Sequence, residues 1–314
     1  MKSSIKKGCF GSILILAVLV LALVGLAWLQ ARRSPQGRPE YVALGSSFAA
    51  GAGLGALQQG SPWLCARSVD GYPQQLARLR RLTIVDMSCG GAVTRHLLDG
   101  GQFFQGAQIR AVDRSTRLVT ITVGGNDIGY VGDLSLLAGR HSDTLWGWLV
   151  RTFWSGPKSI DTRNWAKLER ELGDTIRAIH QRSPAARVVV ATYPTILPPS
   201  GTCDRVALTT AEANLMRAVG DRLAATTRSA AAKAGATVLD MHRLGVSHNA
   251  CSATPWTNGY SGIAPFHPTL LGARATADAI ADKLSGSPAA IAPVRQDDAA
   301  GQQARRVGGQ EQHD

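Results

Sequence analysis

The stretch Tyr41-Val42-Ala43-Leu44-Gly45-Ser46-Ser47-Phe48-Ala49-Ala50-Gly51 decides how the rest of the chain is read. It opens as a short apolar run of strand type and breaks at Gly45. Two serines, small residues and Gly51 follow. A strand that stops at a glycine and turns at once into a small-residue helix start delivers a hydroxyl to the carboxyl end of a sheet. Open α/β sheets carry their active sites at that edge. The backbone N–H groups of the turn are then free to face a developing anion. Ser47 is the candidate nucleophile. The plainer alternative is a strand and turn whose serines only cap a helix.

Outward from this stretch the chain alternates. Strand-like runs lie at 41–45, 82–87, 117–123, 187–192 and 236–240, and helix-like runs at 72–81, 163–182, 209–234 and 268–284. Five strands alternating with helices argue a parallel, doubly wound α/β sheet. Strands rich in Val and Ile fit a sheet buried on both faces. Residues 131–165 break the rhythm, with Trp146, Trp148, Trp154 and Trp165 of the protein's 7 tryptophans. The expectation there is an insertion whose rings pack a small core. The alternative is an acyl-binding lip or a membrane-facing flap. The segment 286–314 lacks periodicity and is expected to be disordered.

Ahead of the domain, residues 1–8 carry Lys2, Lys6 and Lys7, and Cys9 to Leu29 holds no charge. That run suffices for a bilayer, which takes about 20 apolar residues, and exceeds a signal-peptide core of roughly 7–15. The organisation expected is a basic cytoplasmic N-terminus (1–8), a transmembrane signal anchor (9–30), a linker (31–39) and a catalytic domain (40–285). The alternative is a secreted protein whose signal segment is cleaved. Arg32, Arg33 and Arg38 behind the run oppose the lysines ahead of it, so charge alone leaves the orientation open.

The formal net charge is +12, with 45% hydrophobic residues. No compact basic stripe with interleaved aromatics accompanies the charge, and no nucleic-acid motif, so no nucleic-acid partner is expected. Of 5 cysteines, Cys9 lies in the apolar segment; Cys65, Cys89, Cys203 and Cys251 are widely spaced, without metal-ligand spacing. Outside the cytoplasm, four such cysteines read as two disulfides.

Four blocks fall where sheet topology would gather them. They are Ser47 after the first strand, Cys89-Gly90-Gly91-Ala92 after the second, Gly124-Gly125-Asn126-Asp127 after the third, and Phe266-His267-Pro268 before the last helix. A serine nucleophile needs a base, and histidine serves near neutral pH. An acyl tetrahedral intermediate needs donors aimed at its oxyanion, which the Ser47 N–H, the Gly91 N–H and the Asn126 amide would supply. Asp127 reads as a backbone-bonding loop acid.

These blocks, in this order, make the chain resemble the SGNH (GDSL-type) hydrolases, and within them the disulfide-containing actinobacterial esterases and lipases, over roughly residues 40–284. The resemblance implies a flavodoxin-like three-layer α/β/α sandwich with no metal and no cofactor. It also implies Ser47 as nucleophile, His267 as base, and an oxyanion hole of Ser47, Gly91 and Asn126. By the same resemblance Cys65 pairs with Cys89 and Cys203 with Cys251. Two positions depart from the pattern. Ser46 replaces the aspartate of Gly-Asp-Ser, and Ala264 stands where an aspartate commonly orients the histidine three residues on. Some members of the branch it resembles use a backbone carbonyl at this place, which makes the Ala264 carbonyl the expected orienter, in a loop stiffened by Pro265, with Asp240, at the end of the fifth strand, as the competitor.

The function expected is a serine ester hydrolase of esterase or lipase type, acting through an acyl-enzyme on Ser47 and anchored in the membrane by its N-terminal helix. Its partner would be an ester substrate: a lipid, an acylated sugar or a small ester. The rivals are an acyltransferase to envelope sugar or lipid alcohols, and a catalytically weak envelope-binding protein.

Overall fold

The computed structural model describes residues 2–31, 37–260 and 263–286, with side chains of the first helix described from Ile15 onward. The expected tail falls outside the described residues apart from Gly286, as do residues 32–36 of the linker and the side chains of residues 1–8.

Five strands form one parallel sheet: β1 (Tyr41–Gly45), β2 (Ile84–Asp86), β3 (Leu118–Thr122), β4 (Arg187–Ala191) and β5 (Thr237–Leu239). Their spatial order is β2-β1-β3-β4-β5. This is the flavodoxin-type order, in which the chain leaves β1 for one side and returns for β3 on the other. The crevice at that reversal, above the carboxyl ends of β1 and β3, is where the first and third sequence blocks meet.

Period-2 alternation in β1 explains the layers. Tyr41 and Ala43 face a core shared with Leu76 of α3 (Tyr72–Arg80) and with Ala277, Ile280 and Leu284 of α10 (Leu270–Ser285). Val42 and Leu44 face the other side, against Leu172, Ile176 and Ile179 of α7 (Trp165–Arg182) and Ala230 and Ala231 of α8 (Thr210–Lys233). The fully buried α7 side chains recur at helical spacing, so one stripe of that helix is apolar while Lys167, Arg170 and Arg177 stay outside it. Burying each such Leu or Ile stabilises the fold by about 1.5–3 kcal/mol. Short helices complete the chain: α2 (Ser47–Ala50), α4 (Thr94–Leu98), α5 (Tyr130–Arg140), α6 (Leu145–Phe153) and α9 (Met241–Leu244).

The segment 131–165 is mostly helical, α5 and α6, and its aromatic residues divide. Trp165 joins a core with Tyr130, Leu134 and Leu137, and Trp154 packs against that core. Leu145, Trp146, Trp148 and Phe153 are exposed. The packed small core thus accounts for only part of the insertion.

The charge-free run lies in α1 (Lys2–Ala31). Among the described residues no helix is long and apolar enough to cross a membrane. Ile15, Leu16, Leu19, Leu23 and Leu29 are exposed, while Ala27 and Ala31 are buried. The Gln30 side chain accepts the Trp63 N–H at 3.3 Å, tying the end of α1 to the domain.

Candidate active site

Ser47 is the first residue of α2, directly beyond β1. The turn before it depends on Gly45, whose φ of +139° is costly for a side chain and where a Cβ would meet the Thr122 carbonyl oxygen at 2.3 Å. Gln108, buried, grips both backbone groups of Gly45: its side-chain oxygen accepts the Gly45 N–H at 2.8 Å and its amide donates to the Gly45 carbonyl at 3.0 Å. The end of β1 is therefore fixed, and Ser47 with it.

Ser47 Oγ lies 2.8 Å from His267 Nε2. The other ring nitrogen, Nδ1, is 2.9 Å from the Pro265 carbonyl. A carbonyl only accepts, so Nδ1 carries the proton and Nε2 presents its lone pair to the serine hydroxyl. Burial pushes the His267 imidazolium below its usual pKa, and the Pro265 hydrogen bond opposes this in part. Both effects together leave the neutral ring favoured relative to an exposed imidazole. Phe48, one residue after the serine, packs beside it with ring centroids 5.5 Å apart.

This geometry corrects the expected orienter by one residue. The Ala264 carbonyl accepts the backbone N–H of His267 at 3.3 Å. Phe266 sits at φ +62°, and the tight turn directs the Ala264 oxygen to the backbone while leaving the next carbonyl, Pro265, for the ring. Asp240 is engaged elsewhere. It caps α9 through the Arg243 N–H at 3.2 Å, pairs with Arg228 at 3.2 Å and accepts from the Thr192 hydroxyl at 3.3 Å.

The second and third blocks are tied to the serine turn and to each other. The Cys89 N–H donates to the Gly45 carbonyl at 3.0 Å, and the Asn126 side-chain amide donates to the Ala92 carbonyl at 2.9 Å. That bond uses one of the two amide hydrogens of Asn126. The Cys65–Cys89 disulfide pins the loop carrying Gly91, and the Gly90 N–H donates to the Cys65 carbonyl at 2.9 Å. Asp127 accepts the Thr94 N–H at 3.0 Å and the Thr94 hydroxyl at 2.5 Å, the backbone-holding use expected of it. The Cys203–Cys251 disulfide anchors the approach to His267, assisted by Arg205, which donates to the carbonyls of Cys251 and Ser252 at 2.6 and 2.9 Å.

Residues 43–275 match the GDSL-like Lipase/Acylhydrolase family. The chain belongs to that family. It is 31% identical to Lipase 2 of Streptomyces coelicolor over 289 residues, covering 85% of this chain and 94% of the relative. Among solved structures it is similar to the extracellular lipase from Streptomyces rimosus, with 28% identity, a TM-score of 0.61, and 76% of this chain and 97% of that one covered. It is also similar to phospholipase A1 from Streptomyces albidoflavus NA297, with 25% identity, a TM-score of 0.62, and 79% and 100% covered. The protein is accordingly a carboxylic ester hydrolase of esterase or lipase type.

Within this GDSL-like hydrolase, the serine at position 46 has a defined place. Ser46 is fully buried and its hydroxyl lies 2.7 Å from the Tyr193 hydroxyl, which also accepts the Gly125 N–H at 3.2 Å. The pair links the serine turn to the loop that carries Asn126. Burial raises the Tyr193 phenol to about 12, so it keeps its proton. Sequence reading missed Tyr193, Gln108, Phe48 and Pro265. Phe48 lies directly after Ser47, and Pro265 directly before the Phe266-His267-Pro268 block. Tyr193 and Gln108 are far from their partners in sequence and carry no local signal.

Proposed function

We propose that Ser47 is the nucleophile and His267 the general base of an exported, membrane-anchored serine esterase acting on acyl esters of lipids. The observation that carries this reading is the 2.8 Å contact between Ser47 Oγ and His267 Nε2, with the tautomer set by Pro265. His267 Nε2 takes the hydroxyl proton as Ser47 Oγ bonds to the ester carbonyl carbon. The carbonyl electrons move to its oxygen, held by the Ser47 and Gly91 N–H groups and the second amide hydrogen of Asn126. As the tetrahedral species collapses, the C–O bond to the alcohol breaks and His267 returns the proton to the leaving oxygen. Water, deprotonated by the same nitrogen, then releases the acid.

A lipid ester is supported by the similarity to proteins named lipase and phospholipase A1. The anchor is supported by the charge-free run from Cys9 to Leu29 and by the exposed apolar side chains along its described part. Export agrees with the two disulfides. The test is labelling with a fluorophosphonate probe followed by peptide mapping, beside turnover of p-nitrophenyl esters of increasing chain length. Modification at Ser47, with Ser47→Ala losing both label and turnover, is expected. Full turnover in Ser47→Ala would remove the mechanism.

A further inference from the structure

The segment Gln102–Phe104 forms a single helical turn beside the loop that carries Gly91. The turn closes on itself: the Gly101 N–H donates to the Gln105 carbonyl at 2.7 Å and the Gln105 N–H to the Gln102 carbonyl at 2.8 Å. Its two glutamines pin it to the ester site. The Gln102 amide donates to the Gly90 carbonyl at 2.6 Å and lies 3.4 Å from where a Cβ on Gly91 would stand. The buried Gln105 donates to Cys65 Sγ at 2.8 Å. Between them, Phe103 and Phe104 form the tip. Both have a left-handed backbone, at φ +47° and +64°, which is costly for a residue with a bulky side chain. Both nonetheless remain exposed. The fold holds two aromatic residues rigidly in a strained conformation and does not bury them.

The course of α1 indicates what meets this tip. Its residues from Ile15 to Val24 are all apolar and all exposed, and burial against the domain begins at Ala27 and Ala31. A helix that is apolar all round calls for an apolar medium. This helix packs beside the Gln102–Phe104 turn, and its end is tied through Gln30 to the exposed Trp63. Trp63, Phe103 and Phe104 thus stand where the helix leaves the domain, the level at which Trp gathers and Phe inserts at a membrane–water interface. The net charge of +12 suits an anionic lipid surface. We propose that the Phe103–Phe104 tip docks into the surface of the bilayer that α1 enters, turning the Gly91 side of the ester site toward lipid in that same bilayer. The inference rests on the anchor proposed above and not on the identity of the nucleophile. Two rings make a shallow contact, so the tip orients the domain while α1 retains it.

The experiment uses the full chain reconstituted into phosphatidylcholine–phosphatidylglycerol vesicles and washed at alkaline pH. An environment-sensitive NBD label is placed at Phe104→Cys in a Cys9→Ser background, where the remaining four cysteines are paired. The same label at Ala185→Cys, exposed at the amino end of β4, is the aqueous control. Blue-shifted emission at position 104, quenched by a lipid spin-labelled near its headgroup, is expected, with neither effect at position 185. In the same vesicles Phe103→Ser/Phe104→Ser should lower hydrolysis of a vesicle-borne phospholipid by about tenfold or more, the scale of one lost aromatic burial. Turnover of soluble p-nitrophenyl butyrate should stay within about twofold, and Phe103→Leu/Phe104→Leu should keep most of the lipid turnover. The label reads docking whether or not that phospholipid is hydrolysed. Loss of the chain in the wash removes the anchor and this inference with it. A retained chain whose label at 104 is as aqueous as that at 185 overturns the docking alone. Equal losses on lipid and soluble ester also overturn it, making the tip a support of the site. So does a change of oligomeric state of the serine variant in detergent, which makes the tip an interface between copies.

Discussion

At the residue scale, the imidazole of His267 is oriented by a peptide carbonyl in place of a carboxylate. The Pro265 oxygen fixes the tautomer but would bring no full negative charge to an imidazolium formed in the proposed deprotonation of Ser47. The pH profile should reflect the burial. The neutral, basic form persists below the ordinary histidine value of 6.5, so kcat/KM should rise with pH through a midpoint below that figure. A midpoint above 6.5 would contradict the assigned environment. Asp240→Asn should leave kcat/KM within a fewfold of the parent, since Asp240 serves α9 and Arg228. A true triad aspartate would instead cost about 10⁴ in turnover. With Asn126 as the oxyanion donor proposed, Asn126→Ala should lower kcat by roughly 10²–10³, the usual loss for one such donor. Gly53 supports the same turn from behind. It sits at φ +87°, and a Cβ there would lie 2.6 Å from the Ala264 Cβ. Gly53→Ala should therefore cost about 1–2 kcal/mol in backbone conformation alone, and, by pushing on the turn before His267, should reduce kcat more than it raises KM.

At the element scale, three loops have to be held against one another for the site to exist, and two covalent links do much of that holding. The Cys203–Cys251 bridge closes a sequence separation of 48 residues and stands between β4 and the loop leading to His267. A Cys203→Ser/Cys251→Ser pair should lose about 2–4 kcal/mol of stability, read as a lower denaturation midpoint in urea. Activity should fall further than stability, because the loop it frees carries the histidine and not the sheet. The Ser46–Tyr193–Gly125 link is the non-covalent counterpart. Tyr193→Phe leaves the Gly125 N–H without this partner and the buried Ser46 hydroxyl with only the Thr122 carbonyl at 3.4 Å, which costs about 1–3 kcal/mol. Thermal unfolding of that variant beside Ser46→Ala would show whether the two hydroxyls act as one unit, since coupled partners lose less together than the sum of their separate losses.

At the scale of the whole molecule, the proposed anchor and the domain should be separable. Removing residues 1–29 should move the protein from the membrane fraction to the soluble one, with hydrolysis of short p-nitrophenyl esters retained. Continued pelleting after a salt wash would transfer the anchoring role to another surface, such as exposed Leu145, Trp146, Trp148 and Phe153 of α6. The thiol count is a second global check. With 5 cysteines in the chain and four in the two bridges, denatured, unreduced full-length protein should titrate one thiol, that of Cys9.

The sequence by itself determined the sheet, because period-2 runs and helical stripes are local patterns that the core simply accepts. The strand runs expected at 41–45 and 187–192 became Tyr41–Gly45 and Arg187–Ala191. It also placed Ser47, Gly91, Asn126 and His267 at the carboxyl edge, since each lies in a short block tied to the end of a strand or the start of a helix. Tertiary structure alone decided what holds those blocks. Nothing local distinguishes the Ala264 carbonyl from that of Pro265; the left-handed Phe266 turns one to the backbone and the other to the ring. Asp240 looked available from its place at a strand end, but α9, Arg228 and Thr192 claim it first. Gln108 and Tyr193 act on residues 63 and 147 positions away, and contacts at such separations exist only once the sheet has brought its edges together.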